Sequence, residues 1–147
     1  MGTYDIVRAA IMTPTRRGWG IPVMLRGGVG IGKTSMIEMV AEQIQAWIEI
    51  LTLSLVESVE AAGYPYIEEI DIASGDGKHL VKRKQMAYAA PAWAQRAVQA
   101  IRAIIFLDEI NTAAPATFAA FMRAVNERAC GSFSLGEGVR FVAAMNP

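Results

Sequence analysis

Lys33 and Thr34 close the run Gly27-Gly28-Val29-Gly30-Ile31-Gly32-Lys33-Thr34, and far downstream Asp108 and Glu109 follow the apolar residues Ile104 to Leu107. Together these residue types suit one chemistry, the binding and cleavage of a nucleoside triphosphate. Gly27, Gly30 and Gly32 let the backbone turn left-handed and bring its N–H groups close to phosphate oxygens, because no side chain intervenes. Gly28, Val29 and Ile31 complete the loop. Ser35 lies in the first turn of a helix whose unpaired N–H groups and positive dipole end favour anions. Lys33 adds a point charge for the β and γ phosphates, and the Thr34 hydroxyl can ligate Mg²⁺. Asp108 is placed to hold that metal through water, and Glu109 to take a proton from an attacking water. Asn146 ends the apolar run Phe141 to Met145, where a side-chain amide can orient the water. A nucleoside triphosphate and Mg²⁺ are therefore the expected ligands.

The elements that must position these groups are legible in the hydrophobic pattern. Ile21 to Leu25 reads as a short buried strand leading into the glycine-rich loop. Met36, Met39, Val40, Ile44 and Trp47 recur at helical spacing after it. Tyr4 to Met12 reads as a helix capped by Thr3 and bounded by Pro14, and Thr15 to Gly20 as a loop. Ile48 to Leu55 is a second strand, followed by a helical turn over Glu57 to Ala62 that Gly63 and Pro65 stop. Tyr66 to Ala73 and Lys78 to Ala87 flank Ser74-Gly75-Asp76-Gly77, a hairpin turn signal. Pro91 opens a helix to about Ala100, and Ile101 to Ile110 is a central strand ending in the two acids. Ala114 to Arg128 predicts a helix with Phe118, Phe121, Met122 and Val125 on one face. A second hairpin is expected around Ser132 to Gly138, before a last strand over Val139 to Met145. Strands alternating with helices imply a parallel α/β sheet in one domain.

Composition sets the outer bounds. A hydrophobic content of 53% in 147 residues supports one packed domain rather than disorder. Fourteen basic residues balance fourteen acidic ones, so the electrostatic footprint of a nucleic-acid binder is missing. No run approaches the ~20 apolar residues of a membrane span, and no signal peptide pattern opens the chain, which makes the cytoplasm the expected location. The single cysteine, Cys130, reads as a small buried hydrophobe. His79 lacks partners at ligand spacing for a metal. Lys78, His79, Lys82, Arg83 and Lys84 make one hairpin arm basic, and Glu68, Glu69 and Asp71 make the other acidic, so cross-strand pairing is expected rather than nucleic-acid contact. Arg128, in the last turn of its helix, suits the dipole there better than a role towards a neighbour's nucleotide. Of the three tryptophans, Trp19 alone falls near where a base would lie.

The order of these segments, with Gly63-Tyr64-Pro65, Pro91-Ala92-Trp93, Ile-Ile-Phe-Leu-Asp-Glu-Ile-Asn (104–111), Asn126-Glu127-Arg128 and Ala-Met-Asn-Pro (144–147), resembles the MoxR and dynein-related branch of AAA+ ATPases over nearly the whole chain. The resemblance makes residues 27–34 a Walker A motif, Asp108 and Glu109 a Walker B motif, and Asn146 a sensor 1 residue. It implies a P-loop NTPase fold with inserted β-hairpins and an ATPase of a ring, usually hexameric, with ATP as the cofactor. Members remodel partner proteins in a chaperone-like way, often serving a client with a von Willebrand factor A domain. It also places the arginine finger, sensor 2 and helical lid past Pro147, so residues 1–147 are expected to be an incomplete core and a weak ATPase. Arg26 departs from the family pattern, which more often has an apolar or small residue there. Two other readings stay open: a nucleotide-gated binding module with little turnover, and a DNA-linked subunit of the restriction or helicase-loading type, with ATP against GTP preference undecided.

Overall fold

The five residues Ala103 to Leu107 are all buried, and a strand buried on both faces needs a layer of cover on each side. The computed structural model, which describes residues 1–147, supplies both layers. In chain order the elements are α1 (Thr3–Ile11), the short strands β1 (Pro14–Thr15) and β2 (Gly18–Trp19), β3 (Val23–Arg26), α2 (Lys33–Gln43), β4 (Trp47–Thr52) and α3 (Val59–Ala62). There follow β5 (Tyr64–Ala73), β6 (Leu80–Ala89), α4 (Ala92–Gln99), β7 (Ala103–Asp108), a 3-10 turn (Ile110–Thr112), α5 (Pro115–Glu127), β8 (Ala129–Cys130), β9 (Phe133–Ser134) and β10 (Val139–Met145).

The central sheet has the order β3-β10-β7-β4, and every pairing in it is parallel. Side-chain alternation along β7 divides the core in two. Ile104 and Phe106 join Leu25, Val142 and Ala144 against Val7, Ile11, Ile37 and Val40 of α1 and α2. Ala103, Ile105 and Leu107 join Leu51, Phe141 and Ala143 against Trp93, Ala97, Phe121 and Ala124 of α4 and α5. Trp93 stacks on Phe121 with centroids 6.3 Å apart, and its indole N–H donates to the Glu60 carbonyl at 2.7 Å. This three-layer arrangement is the expected α/β class, with β3 and β4 as the sheet edges.

Several local expectations shift. The N-cap of α1 is Gly2 rather than Thr3, and the Gly2 amide donates to the Asp5 carboxylate at 2.9 Å. Met39 is exposed on α2, where Ile37, Val40 and Ala41 face the core instead, and Trp47 belongs to β4, because the helix ends at Gln43 and Gln45 turns with φ 55°. Phe118 is likewise turned outward, and Thr117, Phe121 and Ala124 form the buried face of α5. The expected loop before β3 contains the β1–β2 ribbon. The second hairpin lies earlier than expected, pairing Ala129 with Ser134 and Cys130 with Phe133 around Gly131 at φ 59°.

The long ribbon β5–β6 forms where the Asp76-Gly77 signal puts it, with ten register pairs from Tyr64–Ala89 to Ala73–Leu80. Glu69 stands opposite Lys84 and Asp71 opposite Lys82. These facing charges stop short of ion-pair contact, since the chain's two ion pairs are Arg96–Glu49 and Arg123–Glu127. No helix is long and apolar enough to cross a membrane.

Candidate functional site

Parallel strands end together, and their carboxyl ends are where α/β folds bind ligands. Here β3, β7 and β10 end at Arg26, Asp108 and Met145. The alternation that sends Ile104 and Phe106 to the α2 face brings Asp108 to that face too, and Asn146 follows Ala144 in the same way. Between these ends and the first turn of α2 lies a cleft of about 340 Å³ lined by Val29, Gly30, Gly32, Lys33, Thr34, Ser35, Asp108, Glu109 and Asn146. Of the loop residues singled out in the sequence, Gly27, Gly28 and Ile31 stand outside that lining.

Gly27 and Gly28 act through their backbones. The Lys33 ammonium donates to the Gly27 carbonyl at 2.7 Å, to the Gly28 carbonyl at 2.8 Å and to Asn146 Oδ1 at 3.0 Å. The lysine thus closes the loop on itself. Gly30 and Gly32 turn with φ 76° and 85°, and nothing stands within 4 Å of the Cβ either one lacks, so conformation and not crowding selects glycine there. At Gly27 a Cβ would meet only the tip of the exposed Ile31 side chain, which can swing aside.

Glu109 adopts φ 53°, a left-handed conformation that is uncommon for a non-glycine residue and is found at functional sites. Its amide donates to Asp108 Oδ1 at 2.8 Å, and its own Oε2 accepts from the Ser54 hydroxyl at 3.1 Å. Asn111 joins the acids to the last strand: its Oδ1 accepts from the Asn146 amide at 3.2 Å and its Nδ2 donates to the Asn146 carbonyl at 3.3 Å. Ser54 and Asn111 are given no role by sequence reasoning, although Asn111 closes the segment 104–111 that carries the resemblance. Otherwise the only signal for either is its place just past a strand end or beside the two acids.

A second groove of about 240 Å³ shares Gly32 and Lys33 with the cleft and is otherwise lined by Thr3, Leu25, Arg26, Ile31 and Met36. Trp19 lines neither space. Its carbonyl accepts from Arg128, which answers the question raised by that arginine. Arg128 caps α5 at φ 52° and is buried, its guanidinium donating to the Trp19 carbonyl at 2.7 Å, the Val139 carbonyl at 2.6 Å and the Gly20 carbonyl. It is a staple between the β2 loop and β10.

The donor set suits Mg²⁺ with a triphosphate. Thr34 and Asp108 offer hard oxygen ligands, and no group of three or more His, Cys, Asp or Glu residues gathers as an all-protein cage. Mg²⁺ characteristically keeps waters and takes one or two protein oxygens beside substrate phosphates. The uncrowded left-handed turns at Gly30 and Gly32 leave the backbone open to a phosphate.

Comparison with known proteins bears on the fold and the family. RuvB from Thermotoga maritima, in a mutant form, superposes with a TM-score of 0.57 at 16% identity, covering 97% of this chain and 36% of the RuvB chain. That likeness shows the fold. No curated protein is significantly similar in sequence. The family model for the AAA domain of the dynein-related subfamily matches residues 22–147. That span holds the loop, both acids and Asn146, and the chain belongs to this dynein-related subfamily of AAA proteins.

Proposed function

We propose that this chain binds ATP with Mg²⁺ in the cleft, hydrolyses it, and uses the cycle to remodel a partner protein as one subunit of a ring. The observation that carries the reading is the convergence of Lys33, Thr34, Asp108, Glu109 and Asn146 on one cleft at the strand ends. Lys33 exchanges two carbonyl partners for phosphate oxygens, replacing ion–dipole contacts by charge–charge ones. The backbone amides of the loop and the first turn of α2 cradle the phosphates. Thr34, and Asp108 through water, would hold Mg²⁺, which would supply neutralisation of the phosphate charge. Glu109 accepts the proton of the attacking water, and the Asn146 amide aligns that water. The adjoining groove, apolar at Leu25, Ile31 and Met36 and polar at Thr3 and Arg26, offers the base a surface.

Ring assembly, a client with a von Willebrand factor A domain and chaperone-like action rest on the family resemblance. A second reading, nucleotide-gated binding with little turnover, is favoured by two contacts: Lys33 is already satisfied by its own loop, and Ser54 already donates to one oxygen of the Glu109 carboxylate. Calorimetry of Mg-ATP binding combined with phosphate release by the same preparation separates the two. Binding with turnover that Glu109→Gln removes supports hydrolysis, and binding without turnover supports the gate.

A further inference from the structure

At the opposite end of the sheet, away from the nucleotide cleft, a notch of about 390 Å³ opens between the β1–β2 ribbon, the start of β3 and the end of α5. Arg16, Arg17 and Arg128 line it, and no carboxylate does. Arg16 and Arg17 are exposed, whereas Arg128 is only 7% exposed. Arg128 gives three N–H groups to carbonyls, and a guanidinium carries five. Its Nε is in none of those bonds, and no fully buried side-chain nitrogen or oxygen lacks a partner, so that atom is not sealed from solvent.

Charge behind the notch has the same sign. Arg140, 2% exposed, donates to the Ile11 and Gly138 carbonyls and faces Arg102 and Arg128 rather than an acid. The carboxyl end of α5 contributes about half a negative charge, and Arg17 already takes one of its carbonyls, that of Asn126, at 2.6 Å. Half a charge does not balance three guanidiniums. Buried charges in proteins are ordinarily paired, and Arg128 has only dipoles.

We propose that this notch docks a carboxylate-bearing segment of a partner protein, with Arg128 as the buried anchor and Arg16 and Arg17 as the rim. Planar guanidiniums match carboxylates bidentately. Pro22 and Val125 line the notch alongside Ile21, 48% exposed, and give apolar contact for a peptide's intervening side chains. A nucleic-acid backbone is the lesser fit, because the chain carries no net charge to draw in a polyanion.

The test is calorimetric titration of the full chain with a hexaglutamate peptide, a hexaglutamine peptide and a thymidine oligonucleotide of matched charge. The expected result is saturable, salt-sensitive binding of hexaglutamate alone. A double variant, Arg16→Glu with Arg17→Glu, should bind hexaglutamate roughly tenfold more weakly or worse, with unchanged circular dichroism and unchanged Mg-ATP affinity. Both rim residues are exposed, so the variant keeps the fold. No saturable hexaglutamate binding, equal binding of hexaglutamine, or an undiminished affinity in the double variant would each overturn the proposal. Tighter binding of the oligonucleotide would overturn it in favour of a nucleic-acid site.

Discussion

The Lys33 ammonium lies 3.0 Å from Asn146 Oδ1, which ties the first turn of the helix after the loop to the end of the last strand. In the proposed reaction, a phosphate that drew Lys33 outward would release Asn146 Oδ1 from the ammonium.

Lys33→Ala should abolish triphosphate binding while leaving the fold intact, because the ammonium is the one charge aimed at the β and γ phosphates. Calorimetry with Mg-ATP checks this. Undiminished affinity in the variant removes the loop from its assigned role.

Glu109→Gln should leave Mg-ATP bound and slow hydrolysis by about 10² to 10⁴, the usual contribution of a general base. Gln retains an oxygen for the Ser54 hydroxyl, so the resting geometry survives. Phosphate release at the parent's rate would exclude Glu109 as the base.

Asp108→Asn should weaken the Mg²⁺ dependence of nucleotide binding, since it removes a charge next to the metal's bound waters. The Asn oxygen can still accept from the Glu109 amide, as Asp108 Oδ1 does at 2.8 Å. A Mg²⁺ titration that superposes on the parent's counts against the role.

Arg128→Ala should destabilise the fold by about 2–4 kcal/mol, because three carbonyls lose a charged donor in a buried setting. Urea unfolding measures it. A loss within experimental error would show that water replaces the guanidinium.

Burial pushes the Cys130 thiol up from 9.0 to about 12. Between those values the unfolded chain has released the thiol proton and the fold has kept it, so unfolding releases a proton and stability falls as pH rises, by up to about 1.4 kcal/mol per unit. Below 9 this contribution is fully present. Urea midpoints across the alkaline range should decline less steeply for Cys130→Ala, and identical slopes would show that other groups govern the decline.

The site was more legible than the packing around it, for a physical reason. A phosphate loop and a strand-end acid pair are local: Gly30, Gly32, Lys33 and Glu109 do their work within a few residues of backbone, so spacing reveals them. Helix faces are set by what lies opposite. Met36, Met39, Val40 and Ile44 fit a helical stripe as well as Ile37, Val40, Ala41 and Ile44 do, and only contact with Ile104 and Phe106 decides for the second. Arg17 and Arg128 find carbonyl partners 109 positions away, and no local pattern encodes such a distance. Ser54 and Asn111 are ordinary polar residues until the strands align.

The ribbon β5–β6 hangs on its root. A Cβ at Gly63 would stand 2.9 Å from the Ala89 carbonyl, so the two strands close tightly where they leave the body. Beyond that point none of its twenty strand residues is buried, so the ribbon has no core to rely on. A two-stranded ribbon without a packed face is marginal in water. Its amide protons should therefore exchange with solvent deuterium through local opening, on a timescale detached from that of β7, whose amides wait for the whole domain to unfold. The same chain carries two clocks, one for the ribbon and one for the sheet.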